Sequence, residues 1–325
     1  GGRAGWNIVT SWSDQEAWNF NRSEHLNYET RYERAEEFVD VVTGLWDGWD
    51  EDAFVHDKDS GLFYDEKKLH VLNHAGKHFR VRGPLSVRRS PQGRPVMVQA
   101  GVSEAGQRIA ARFSDAVFAA KQDVEDARKY YASVKSRMGE YGRNPDELLI
   151  MVGLTAIVGR SRDEAQEKFE QLESLIDPLV GLSLLYRSFG DLSQLPLDGP
   201  VPPPKESHAG LQSSARLYYD LALKNNWSIR QLYKKIGMAQ EHKTVVGTAE
   251  DVADEMEAWM DAGAADGFNV TPTHLPHGIN DFVEMVVPEL RRRGRFRTEY
   301  EGKTLRENLG LPVPISRYTK ENEPA

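Results

Sequence analysis

Apolar positions along this chain follow two periods that take turns, short runs suited to strands and longer stretches with helical spacing. Residues 5–10, within Gly5-Trp6-Asn7-Ile8-Val9-Thr10-Ser11, read as a strand leading into a polar loop. Thr30-x-x-Glu33 has the form of a capping box. Ala35, Phe38, Val39, Val42, Leu45 and Trp46 then recur at helical spacing, to an end near Trp49. Residues 50–94 are rich in Asp, Gly and His and are expected to form a hairpin excursion. A compact strand at 95–100 turns through Gly101 to Gly106 into a helix carrying Ile109, Ala110 and Phe113. Strands follow at 115–120 and 148–158, separated by a helix over 124–141. Ser161-x-x-Glu164 caps the next helix, and five prolines between Leu195 and Pro204 mark 187–210 as a long, lid-like loop. Two more helices lead to Thr248-x-x-Asp251, a helix to Ala262, a strand at 266–271 and a helix over 281–293.

This alternation predicts an α/β protein with a parallel sheet covered by helices, either doubly wound or a (β/α)8 TIM barrel. No G-x-G-x-x-G follows a strand, which weakens the dinucleotide-binding version. The pattern yields five strands where a barrel has eight. A barrel of this chain would therefore be N-terminally truncated, with strands 4–8 present and three strands preceding residue 1. The expectation is a single partial barrel domain over 1–325.

Composition narrows the functional classes. Hydrophobic residues make up 39% and charged residues 28%, as in ordinary globular chains. No apolar run approaches the ~20 residues that span a bilayer. The net charge of −9 argues against nucleic acid or an anionic membrane as partner. The basic run Arg291 to Arg297 is placed at a helix C-terminus, where cations are favoured. The absence of cysteine removes thiolate chemistry and fits a reducing cytoplasm.

In such folds the site lies at the C-terminal ends of strands. That singles out Asn7 and Thr10, the segment Gln99-Ala100-Gly101-Val102-Ser103-x-x-Gly106, and the loop from Asn269 to His277. Glycines after a strand allow close backbone approach, and the helix beginning there offers N–H groups and a positive dipole end to a phosphate. A tight strand–helix turn with Ser103 as its N-cap accounts for the same residues. Tyr32, in the first turn of its helix, could direct its hydroxyl to the same phosphate or only pack. His74-x-x-x-His78 has metal-ligand spacing, but Gly76 and hairpin surroundings oppose a zinc site.

Several of these segments resemble one family. Gly5-Trp6-Asn7-Ile8-Val9-Thr10-Ser11, Arg31-Tyr32-Glu33-Arg34-Ala35-Glu36-Glu37-Phe38, Arg82-Gly83-Pro84-Leu85, Ser90-Pro91-Gln92-Gly93-Arg94-Pro95, Gln99 to Gly106, Val246-Gly247-Thr248, Asp266-Gly267-Phe268-Asn269 and Phe296 to Tyr300 are similar to the flavin-dependent monooxygenases of the bacterial-luciferase superfamily. Within it they resemble the nitrilotriacetate monooxygenase, pristinamycin synthase and dibenzothiophene-sulfone monooxygenase branch. The resemblance runs in order from residue 1 to about 312. It implies a luciferase-like barrel and FMN, received in reduced form from a separate NAD(P)H:flavin reductase. Dioxygen would then place one oxygen atom in a small-molecule substrate such as an aminopolycarboxylate or a sulfone. It implies a homo-oligomer and flavin contacts from Asn7 and Thr10, with Tyr32, Val102 and Ser103 at the phosphate. Related enzymes use a histidine two positions after the strand's threonine, where this chain has Trp12-Ser13. Arg187 and Lys205 would suit a carboxylate substrate. Two alternatives stand beside this reading: a truncated, non-catalytic flavin-phosphate-binding remnant, and a deazaflavin-dependent dehydrogenase on the same barrel.

Overall fold

Side-chain caps and short β-branched runs set the elements of this chain. The structure is a computed structural model that describes residues 1–11, 13–204, 209–239 and 242–319. In chain order the elements begin with β1 (Gly5–Asn7), α1 (Asp14–Trp18), α2 (Tyr28–Trp46), β2 (His74–Ala75), β3 (Arg80–Val81), β4 (Val96–Gln99), α3 (Glu104–Phe113) and β5 (Ala116–Ala119). They continue with α4 (Val124–Arg137), β6 (Leu149–Val158), α5 (Arg162–Ser174), α6 (Pro178–Phe189), α7 (Ala209–Asn225) and α8 (Ile229–Ala239). The last are β7 (Lys243–Gly247), α9 (Ala249–Asp261), β8 (Gly267–Val270), α10 (His277–Asp281), α11 (Val287–Arg292) and α12 (Leu305–Asn308). The chain divides into two compact units. One comprises Gly1–Val117, Ala132–Leu149 and Glu299–Ala325; the other comprises Phe118–Tyr131 and Ile150–Thr298.

In the first unit β1 pairs in parallel with β4, Trp6 opposite Met97, and β4 pairs in parallel with β5, Val98 opposite Ala116. Ile8, Tyr32, Val39, Met97, Ala105 and Ile109 pack together and fix α2 and α3 against these strands. Asp115 lies just before β5. Its Oδ2 accepts the Met97 N–H at 2.8 Å, and Arg306 grips both its oxygens at 2.8 and 2.6 Å. Arg306 is 1% exposed, so this pair ties α12 to the sheet out of water. The β2–β3 hairpin hangs on Glu37, which accepts the N–H groups of His78 and Phe79 at 2.8 Å and lies 2.9 Å from His74 Nε2. His74 is thus engaged by a carboxylate of α2.

In the second unit β6 carries two parallel partners. Met151 to Leu154 pair with Gly267 to Val270 of β8, and Leu154 to Val158 pair with Lys243 to Gly247 of β7. Residues 152–158 are all buried, so both faces of β6 are covered, which explains why it reads as an uninterrupted apolar run. Leu154, Ala156, Val252, Met256, Phe282, Val286 and Leu290 form the core between these strands, α9 and the final helices. A separate cluster built on Leu185, Phe189, Leu232 and Tyr233 joins α6 to α8.

The α/β class with parallel strands agrees with the sequence expectation, and several boundaries do not. The opening strand stops at Asn7. Helix α2 begins a turn early, because Asn27 accepts the Thr30 N–H at 2.9 Å and takes the cap. Thr30 therefore supplies a backbone donor and no box forms with Glu33; Tyr32 sits in the second turn. Strand β7 was not anticipated. Helix α6 runs to Phe189, so irregular structure starts at Gly190 where 187 was expected. The last helical stretch starts at His277 and contains a π-helical turn at Phe282–Val286. The capping box at Thr248 and Asp251 is present as read, as is the Ser161 cap.

Candidate functional site

A cavity of about 600 Å³ opens beyond the end of β1, within the range of small-ligand sites. Its floor is the segment from Trp6 to Ser11. One wall is α1 and the turn after it, through Glu16, Ala17 and Phe20; the other is the run from Arg22 to Leu26 and the α2 face bearing Arg31, Arg34 and Phe38. Trp6 is held edge-on by Phe38 and Trp46, with ring centroids 6.0 and 5.6 Å away. Asn7 is exposed and Thr10 half-buried, and both line the opening.

A second feature lies at the start of α3. Ser103 caps the helix by accepting the Gly106 N–H at 3.2 Å, and its hydroxyl lies 3.3 Å from the hydroxyl of Tyr32. At that length the hydroxyl pair is weak, so both can turn to a stronger acceptor. A Cβ on Gly106 would come within 3.2 Å of the Gly101 carbonyl, and one on Gly101 would strike the Gln99 amide at 2.5 Å. The two glycines thus let the β4–α3 turn fold tightly, and of the first-turn N–H groups at the helix's positive end only that of Gly106 is taken by the cap. Val102 is exposed at the rim of this turn. Tyr32 is buried, so its ring is fixed in the core while its hydroxyl faces Ser103.

Positive charge gathers at the cavity. The Arg31 guanidinium lies 5.6 Å from the ring centres of both Tyr28 and Tyr32, and that of Arg34 lies 4.6 Å from Phe79. Arg31 Nε and His25 Nδ1 are buried with no hydrogen-bond partner among the described residues. Burial, and then the nearby Arg22, hold the Arg34 guanidinium below its ordinary pKa. The carboxylate at this wall, Glu16, accepts the Ser13 N–H at 3.4 Å.

The structure brings all five residues singled out from sequence into the first unit. Asn7 and Thr10 meet at the cavity, and Tyr32, Val102 and Ser103 meet at the α3 turn. Sequence reasoning missed Arg22, His25, Arg31 and Arg34. The i, i+3 spacing of Arg31 and Arg34 on α2 was the available signal. Trp12, Lys205 and the side chain of Arg187 lie outside the described residues. His274 and His277 stack with ring centres 6.2 Å apart in the second unit. No helix among the described residues is long and apolar enough to cross a membrane.

A parallel α/β frame with a tight, glycine-lined strand–helix turn beside a strand-end cavity suits a flavin enzyme. Residues 1–266 match the luciferase-like monooxygenase family, and the chain belongs to it. It is accordingly a flavin-dependent monooxygenase, as the motifs implied. It is 47% identical to the N-acetyl-S-(2-succino)cysteine monooxygenase of Bacillus subtilis (strain 168), over 98% of this chain and 73% of that protein. It is 46% identical to nitrilotriacetate monooxygenase component A of Aminobacter aminovorans, over 98% of this chain and 71% of the relative. Its fold is similar to the crystal structure of a riboflavin lyase with modified FMN and riboflavin, with a TM-score of 0.81 and 29% identity. That match covers 97% of this chain and 70% of the other.

Proposed function

We propose that this chain is the oxygenase component of a two-component monooxygenase that takes reduced FMN from a separate NAD(P)H:flavin reductase. In this reading the six parallel strands β1 and β4–β8 include strands 4–8 of a luciferase-like (β/α)8 barrel, one strand more than the sequence count of five, with insertions at 50–94 and from Gly190 onward, in a cytoplasmic homo-oligomer. The observation that carries the flavin assignment is the pair of hydroxyls at Tyr32 and Ser103 facing each other at the open N-terminus of α3. A phosphate there accepts from both hydroxyls, from open first-turn N–H groups of α3 and from the N–H of Val102 just before the cap. Asn7 and Thr10 are the ring-side contacts. When bound, reduced flavin supplies the electrons that activate dioxygen. The protein's own residues hold the cofactor, orient it and keep water out. Trp6, Phe38 and Phe20 form the apolar wall that does the last of these.

The test follows reoxidation of reduced FMN by dioxygen in the visible, with and without the intact protein. Slower reoxidation in its presence, and transfer of label from heavy-isotope dioxygen to an organic product, are expected. Reoxidation at the rate of free flavin would overturn the proposal.

A further inference from the structure

We infer that Arg22, His25 and Arg34 form an anion-binding wall for the substrate, and that the substrate carries two or more carboxylates. The inference deepens the monooxygenase reading and rests on it for the word substrate. Its physical basis is separate. Among the described residues, the guanidiniums of Arg22, Arg31 and Arg34 have no carboxylate at salt-bridge distance and donate no side-chain hydrogen bond. Burial and the nearby Arg22 both act against the charge of Arg34, since like charges held together repel. Here they converge on one cavity of about 600 Å³.

Arg34 and His25 are organised ahead of any ligand, while Arg22 is exposed. The Phe79 ring fixes Arg34 at 4.6 Å, and Tyr28 and Tyr32 fix Arg31. His25 takes its place through its backbone N–H, which donates to Asp14 at 2.7 Å, and the ring's buried Nδ1 has no partner among the described residues. A guanidinium presents paired N–H donors that match a carboxylate, and two of them with an imidazole match two. The nearby apolar surface of Phe20 and Leu26 accommodates a carbon skeleton between the charges.

The flavin phosphate is the other anion such a wall could take. Arg31 stacks on Tyr32, whose hydroxyl faces Ser103, so Arg31 is assigned to the phosphate side. Arg22, His25 and Arg34 are left for the substrate.

The experiment titrates the intact protein with tricarballylate and with its uncharged trimethyl ester by calorimetry, and separately with FMN by fluorescence quenching. Tricarballylate is expected to bind, more weakly as salt is raised, and the ester to bind at least about tenfold less tightly. Arg22→Ala and Arg34→Ala should each weaken tricarballylate by about tenfold, the Lys variants less, with FMN affinity kept. The Lys variants and far-ultraviolet circular dichroism separate a lost site from a lost fold. Equal binding of acid and ester overturns the inference. So does an equal loss of FMN affinity in the Arg22 and Arg34 variants, which would assign the wall to the cofactor. None of these titrations requires turnover, so a failure of the monooxygenase reading shows only in the reoxidation assay.

Discussion

Two arginine clusters in this molecule differ in one respect, and the difference separates scaffold from site. At the C-terminal end of α11, Arg293 reaches Asp254, Glu257 and Glu289, each at 2.6 Å. Arg295 bonds Glu257 and Asp261 at 2.9 and 3.0 Å, and Arg292 bonds Glu289 at 2.6 Å. Every guanidinium in that group is answered by protein carboxylates, so the cluster staples α9 to α11 and needs no ligand. At the end of β1, Arg31 and Arg34 are held by aromatic rings, Arg22 is exposed, and none of the three is answered by a carboxylate among the described residues. Charge alone does not distinguish the two regions; the presence of internal partners does.

A third arginine sets the scale for the first kind. Arg306 is fully buried against Asp115, so Arg306→Ala leaves a desolvated carboxylate unpaired. The expected loss is about 3–5 kcal/mol, read as a shift in the urea midpoint at unchanged slope. A loss below about 1 kcal/mol would show that the buried pair is not what holds α12.

The next effect tests the cofactor side of the groove. Tyr32→Phe combined with Ser103→Ala should weaken FMN binding by well over ~1 kcal/mol, the scale of hydrogen bonds to a charged acceptor. Ser103 also caps α3, so its removal costs the fold about 1 kcal/mol; Tyr32→Phe alone has no such cost and isolates the binding role. Unchanged FMN affinity would remove the phosphate from α3 and make the unpaired arginines its next candidate.

The stapled cluster should also declare itself in acid. Arg292, then Arg293, pull the Glu289 carboxyl from 4.5 to about 2. A carboxylate depressed on folding contributes stability that is complete above its unfolded pKa and is lost as pH falls through the folded value. Stability of the second unit should therefore decline between pH 4.5 and about 2, and Glu289→Gln should flatten that limb. An acid limb identical in wild type and variant would show that Arg293 is satisfied without Glu289.

Much of this arrangement could be read before folding. The strands at 95–100 and 115–120, the Ser103 turn and the Thr248 box follow from local apolar runs and caps, because the forces that set them act within a few residues. Strand β7 escaped because Lys243-Thr244-Val245-Val246-Gly247 is short and half polar, and only pairing with the far half of β6 makes it a strand. The α2 start was misplaced because Asn27 and Thr30 are both competent caps, and packing rather than local sequence chose between them. The cationic wall showed only in the i, i+3 spacing of Arg31 and Arg34, and was missed for a different reason. Arg22 and His25 lie on a loop and Arg31 and Arg34 on a helix, and ordinary solvent-facing arginines look the same until the cavity is formed.

The smallest effect bears most directly on the contrast. Replacing Arg34 by methionine removes a charge that burial and Arg22 both disfavour, and keeps much of the packing against Phe79. It also removes a cation–π contact worth about 0.5–1 kcal/mol. These terms oppose, so Arg34→Met should leave the ligand-free protein within ~0.5 kcal/mol of wild type, or slightly stabilise it. Arg293→Met, which takes one partner from each of Asp254, Glu257 and Glu289 and leaves only the last two with another arginine, should lower the melting temperature clearly under the same conditions. If both variants lose stability equally, Arg34 is a structural residue and the groove is no more poised for an anion than α11 is. If only Arg293→Met does, the unpaired arginines are maintained at no benefit to the fold, which is the condition expected of residues kept for a ligand.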